Sequence, residues 1–208
     1  MPGIFEYSGG STIVAMTGKN CLCIGSDLRV AENTYFSVGF ADQKLFKVGE
    51  KLYVGFTGFK SDVITVLEKF QFRKSLYELQ DSRVMSPKVA SHMLSALLYQ
   101  HRHGPYFVMP LIAGLDSKTN EPFISSQDLI GSQTKPKDYV VIGSGADAMM
   151  ATAESYWKPD MTPSEVFEAT AQCLLGGLSR DAYSGGGAIV YTITADATTV
   201  KTIKTRLD

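Results

Sequence analysis

The sequence predicts a layered α+β protein in which sheets pack face to face and pairs of helices cover them from outside. Three observations predict this. Strand-like segments come in blocks joined by short turns, and helical segments come two at a time between those blocks. No charge run, solenoid-length repeat or Pro/Gly/Ser-rich linker divides the 208 residues. Consecutive helix pairs do not suit a doubly wound parallel sheet, in which strands and helices alternate. Length is only a soft guide to domain number, and here it favours one domain with a substantial core.

The first third reads as β. Thr12–Met16, Cys21–Val30, Lys44–Val48 and Lys51–Phe56 are short, rich in β-branched or aromatic residues, and bounded by Gly or Asn. Gly18-Lys19-Asn20 and Gly49-Glu50 read as hairpin turns. Cys21 and Cys23 alternate, which places them on one face. In the first helix Val63, Val66, Leu67 and Phe70 share a face. The second opens at Ser86-Pro87, a hydroxyl cap followed by Pro at the first position, and carries Ala90, Leu94, Leu97 and Leu98 as its stripe. Gly104-Pro105 ends it, with His101-Arg102-His103 expected to complement the dipole at the helix end. His92 is expected on the exposed or partly buried side of that helix.

Strand signals return at Val108–Leu115, Pro122–Ser125 and Tyr139–Gly143, separated by the loop-like stretches Asp116–Asn120 and Ser132–Asp138. A helix follows over Ala146–Trp157. Another opens with the capping box Thr162-Pro163-Ser164-Glu165 and turns Phe167, Ala171, Leu174, Leu175 and Leu178 inward. Ala188–Thr194 and Thr199–Thr205 close the chain as strands.

Composition narrows the function classes. Twenty Lys+Arg against twenty-one Asp+Glu give a net charge of −1, which argues against nucleic acid or an anionic membrane as the main partner. The segment Met1–Gly10 has no basic region and no long apolar stretch, so it does not read as a signal peptide. The most apolar segment, Tyr106–Leu115, is broken by Pro110 and too short to span a bilayer. Cys21, Cys23 and Cys173 are too few for a disulfide framework, and the expectation is a soluble intracellular protein.

Familiar catalytic signatures are missing. Ser184 lacks the preceding Gly of a nucleophile elbow, and no H-E-x-x-H or C-x-x-C supports a metal site. Gly143-Ser144-Gly145 lies between a strand and a helix without the rest of a nucleotide fingerprint. It reads as a tight turn, and a small-molecule-binding protein would rest on that turn alone. No cofactor is expected.

Five elements are more specific in combination: Gly9-Gly10-Ser11-Thr12, Gly25-Ser26-Asp27-Leu28-Arg29, Asp42-Gln43-Lys44, Val54-Gly55-Phe56-Thr57-Gly58, and Arg180-Asp181-Ala182-Tyr183-Ser184-Gly185-Gly186. In order and spacing they resemble the β-type subunits of the 20S proteasome, of the N-terminal-nucleophile hydrolase family. Lys74–Leu79 and Ile112–Asp116 resemble that family too. Gly104-Pro105-Tyr106, Asp128–Gly131 and the closing Arg206-Leu207-Asp208 are most similar to its non-catalytic β3-type branch. The resemblance implies a four-layer αββα sandwich over residues 11–208, preceded by a short leader, residues 1–10, that is retained.

It also implies a place in a seven-membered β ring stacked on a second β ring between α rings. The implied partners are other β subunits and α subunits, with neither nucleic acid nor membrane, and the implied location is cytoplasm and nucleus. Active relatives use an N-terminal Thr, whose free α-amine is the base. Ser11, after Gly10, holds the matching position here. Lys44 would lower the nucleophile's pKa, Asp27 would hold Lys44 charged, and the Gly58 N–H would face the oxyanion, with Asp181 and Ser184 in support. Ala146 stands where active members commonly carry a Ser near the amine. The same residues have structural readings: Asp27, Arg29 and Lys44 as a buried charge network, and Asp181 as the cap of the turn before Ser184. The set Ser11, Asp27, Lys44, Asp181 and Ser184 is therefore expected to be vestigial, the alternative being an N-terminal-serine peptidase released by cleavage after Gly10. Tyr35, Phe36, Phe107 and Met109 are candidate contact residues.

Overall fold

A computed structural model describes residues 10–31 and 37–205. Most of the leader, Tyr35, Phe36 and the closing Arg206-Leu207-Asp208 lie outside the described residues. The chain runs β1 (Thr12–Gly18), β2 (Cys21–Asp27), β3 (Val30–Ala31), β4 (Ser37–Gly39), β5 (Leu45–Gly49) and β6 (Leu52–Gly58). Then come α1 (Lys60–Asp81), α2 (Pro87–Tyr99), β7 (Val108–Leu115), β8 (Pro122–Gln127), β9 (Gln133–Thr134) and β10 (Tyr139–Gly143). It ends with α3 (Ala146–Tyr156), α4 (Pro163–Leu178), β11 (Ala188–Thr194) and β12 (Thr198–Ile203).

The strands form two antiparallel five-stranded sheets, ordered β10-β1-β2-β11-β12 and β5-β6-β7-β8-β9, plus the small β3-β4 pair. Their inner faces meet in one core: Ile13, Ala15, Leu22 and Ile24 from the first sheet against Leu45, Tyr53, Leu111 and Ala113 from the second. Alternate residues point outward to the helices. Val14, Met16, Cys21 and Cys23 pack with Val166, Cys173 and Leu174 of α4. Val54, Phe56 and Ile112 pack with Val66 and Phe70 of α1 and Leu94 and Leu98 of α2. The result is the four-layer αββα sandwich. Central strands buried on both faces explain why β1 and β2 are almost continuously apolar. No described helix is long and apolar enough to cross a membrane.

The local signals act as expected at the hairpins and helix starts. Asn20 closes β1–β2 at φ 54°, a conformation Asn tolerates. The Ser86 hydroxyl accepts the Val89 N–H at 3.4 Å, and Glu165 Oε2 accepts the Thr162 N–H at 2.7 Å. Four details differ from expectation. The β2 strand stops at Asp27, because the Leu28 N–H turns to the carbonyls of Gly185 and Gly187 and the Arg29 N–H to Asp27. The presumed loop 132–138 contains β9, a two-residue pairing with β8 too short to leave a periodic signal. Helix α2 ends at Tyr99, so His101 and His103 lie beyond its last turn, His101 against the Tyr106 ring. In α4 Ala171, Leu174 and Leu178 are buried as expected, but Phe167 and Leu175 are only half-buried at the border of a face that also seats Val166, Cys173 and Gly177.

Candidate functional site

Strand ends build the site. Register pairs Thr12 with Gly143 and Asp27 with Ala188, so the start of β1, the ends of β2 and β10 and the start of β11 meet at one end of the first sheet. From the second sheet, Lys44 stands just before β5 and its carbonyl accepts the Phe56 N–H at 3.0 Å. Gly58, two residues further along β6, adopts φ +115°. A Cβ there would lie 2.2 Å from the Phe107 carbonyl oxygen, so only glycine fits.

Two polar clusters form. In the first, Lys44 Nζ lies 2.7 Å from Asp27 Oδ1, with the two side chains 5% and 0% exposed. Asp27 also accepts the N–H groups of Thr12 (3.0 Å), Arg29 (3.2 Å) and Gly185 (3.2 Å). Burial is the strongest influence on both groups, pushing Asp27 up and Lys44 down. Their mutual attraction opposes it, as do the N–H bonds from Thr12 and Gly185 to Asp27. The Arg29 guanidinium donates to the Ala182 carbonyl at 2.7 Å, tying the Arg180–Gly187 loop to the same corner.

The second cluster centres on Asp181. Its Oδ2 accepts the hydroxyls of Ser144 and Ser184, each at 2.6 Å, and its Oδ1 accepts the Tyr183 N–H at 3.0 Å. Thr12 Oγ1 donates to Ser184 at 3.1 Å and accepts the Gly145 N–H at 3.0 Å.

Ser11 lies between the clusters. Its carbonyl accepts the Ser144 N–H at 3.0 Å, yet its buried hydroxyl has no hydrogen-bond partner among the described residues. Lys44 Nζ reaches instead to the Gly10 carbonyl, at 3.4 Å. The Arg180–Gly187 loop closes over this spot, and a Cβ on Gly10 would come 2.0 Å from Tyr183 Cβ. A general base must stand within about 2.6–3.2 Å of the proton it takes, and none of the described side chains does so for Ser11. Among the described residues no group of three or more His, Cys, Asp or Glu converges as a metal site.

Sequence comparison agrees with this arrangement of strands. The family described as Proteasome subunit matches residues 7–193. The chain belongs to the proteasome subunit family. It is 51% identical over 205 residues to Proteasome subunit beta type-3 of Caenorhabditis elegans, covering 99% of both chains. It is 45% identical over 206 residues to the protein of that name in Drosophila melanogaster, again over 99% of both chains. Against the Saccharomyces cerevisiae protein the figure is 39% over 199 residues and 96% of both.

Within that family frame, the fold draws the five residues named from sequence into the same corner. Asp27 joins Lys44 directly, Asp181 joins Ser184 directly, and Ser11 touches both groups only through backbone atoms, its own carbonyl and that of Gly10. Sequence reasoning missed Thr12 and Ser144. The signal for Ser144 was its place between two glycines at a strand end, which was read as a bare turn. Ala146 begins α3 and packs against the apolar core, so the serine that reaches Asp181 is Ser144, two positions earlier.

Proposed function

We propose that the chain is a structural subunit of the proteasome β ring without a working nucleophile of its own. In this reading it supports assembly and the protein degradation carried out by active neighbours. Its partners are other β subunits, within the ring and across the ring–ring interface, and α subunits. The observation that carries the proposal is the state of Ser11. Among the described residues no side chain stands within hydrogen-bond reach of its hydroxyl, and Lys44 Nζ donates to the Gly10 carbonyl rather than to that hydroxyl. The test is the intact mass and N-terminal sequence of the chain taken from the assembled particle. A chain still carrying residues before Ser11 is expected, and its acylated Ser11 nitrogen would have no basicity to lend the hydroxyl. A chain beginning at Ser11 and labelled there by a hydroxyl-directed electrophile would favour the N-terminal-serine peptidase instead.

A further inference from the structure

Beneath helix α2, where β8 runs into the loop toward β9, uncharged polar side chains are sealed beside the apolar second core. Ser91 of α2 and Ser125 of β8 are fully buried, and Ser125 stands beside Ile112 of that core. Gln127, two residues further along the same face of β8, is 4% exposed. None of the three belongs to either cluster around Ser11. A buried polar atom left without a partner costs more than one made hydrogen bond contributes, so each of theirs should be accounted for.

The donors and acceptors of this group do not balance. Gln127 Nε2 donates to the Ser91 carbonyl at 2.8 Å and lies 3.4 Å from Ser91 Oγ, and Gln133 Nε2 donates to the same carbonyl at 2.9 Å. These contacts fix which way round the Gln127 amide lies, since turning it over would set its oxygen against the Ser91 carbonyl oxygen. Gln127 Oε1 is therefore aimed away from that carbonyl, and among the described residues no donor reaches it. Ser91 Oγ donates to Ser125 Oγ at 3.0 Å, which leaves the proton of Ser125 itself to find another acceptor. One donor and one acceptor are left over on neighbouring positions of one strand face, and they make no hydrogen bond to each other.

We infer that a single buried water molecule binds at this corner, accepting the Ser125 hydroxyl and donating to Gln127 Oε1. Water suits the pair because it accepts and donates at once and occupies no more than the gap between two side chains. The chemistry is wrong for a cation. The adjacent carboxylate, Asp128, is exposed and accepts the Ile130 and Ser132 N–H groups instead. The water completes a polar network that joins α2 to the end of β8. Through Gln133, and through the Ser95 hydroxyl on the Gly131 carbonyl at 2.5 Å, that network also holds the loop beyond. The inference concerns the fold of the chain itself and is independent of the proposed function.

The test is a crystal structure of the assembled particle containing the chain, at about 2 Å resolution or better. One solvent peak is expected about 2.7–3.2 Å from both Ser125 Oγ and Gln127 Oε1. Gln127→Met keeps an unbranched side chain but removes the acceptor. It is expected to lose the peak while Ser91 Oγ stays hydrogen-bonded to Ser125 Oγ. A wild-type map without the peak would overturn the inference, and so would a peak that survives Gln127→Met unmoved. Six or more oxygen contacts at about 2.3–2.6 Å would mark a cation and overturn water as the occupant. Should Gln127→Met fail to assemble, the wild-type map decides alone.

Discussion

Asp27 and Asp181 are both carboxylates at the same end of the sandwich, yet one is sealed against a lysine and the other opens to solvent among hydroxyls. Asp27 takes its partners from β1, from the turn after β2, from the Gly185 loop and, through Lys44, from the second sheet. Asp181 is half-buried and gathers Ser144, Ser184 and Thr12, the last both directly and through Ser184. The first cluster ties two sheets together with a charge pair that would be costly to leave half-made. The second fixes a loop with ordinary hydrogen bonds. Among the described residues neither cluster places a side chain within hydrogen-bond reach of the Ser11 hydroxyl.

The sharpest way to break this contrast is to remove one half of the sealed pair. Lys44→Met leaves a buried carboxylate without its cation and is expected to destabilise the chain by about 3–5 kcal/mol. Asp27→Asn combined with Lys44→Met removes both charges and is expected to cost less than the single change, because no unpaired charge remains. Urea unfolding followed by the emission of Trp157 measures both. A Lys44→Met loss below about 1 kcal/mol would mean that Asp27 is satisfied by its three backbone donors alone.

Asp181→Ala probes the open cluster. It strips acceptors from Ser144, Ser184 and the Tyr183 N–H, but water can replace them at a half-buried position. The expected loss is about 1–2 kcal/mol, well under that of Lys44→Met. Among the described residues the clusters meet through Thr12, whose N–H donates to Asp27 and whose hydroxyl donates to Ser184, but no side chain of one bonds a side chain of the other, so losses from Lys44→Met and Asp181→Ala are expected to add within about 0.5 kcal/mol. A larger coupling energy would show that the clusters act as one network across Ser11, and the contrast drawn between them would fall.

The fold was legible wherever a pattern repeats. The short apolar runs of β1 and β2 bounded by Gly and Asn, the stripe Ala90-Leu94-Leu97-Leu98 and the Ser86-Pro87 start all point to what forms. Patterns that do not repeat were silent. The two-residue β9 offers no period. The end of β2 is decided by carbonyls of Gly185 and Gly187, more than 150 residues away in sequence. In α4 the expected Ala171, Leu174 and Leu178 are buried, whereas Phe167 and Leu175 border the inward face, since a step of about 100° decides which neighbour is buried. In the site, charged residues stood out in the sequence and small hydroxyls did not. Asp27, Lys44 and Asp181 were named, whereas Thr12 and Ser144 matter only through the strand ends that carry them to Ser184 and Asp181.

A third carboxylate sets the lower end of the same scale. Glu165 is solvent-exposed and sits below its ordinary value because the Thr162 N–H and hydroxyl both donate to it. A depressed folded-state value means that the stabilisation is fully present above the unfolded value of 4.5. It is lost as pH falls through the lower folded value. Glu165→Gln should therefore lower the thermal midpoint near neutral pH by less than Asp181→Ala does. The difference from wild type should shrink as the solution is acidified below 4.5 and vanish once Glu165 is protonated in both states. A difference that persisted unchanged at acid pH would show that the α4 cap is held by side-chain shape and not by the carboxylate's charge. Exposure would then no longer order the three carboxylates by what each contributes.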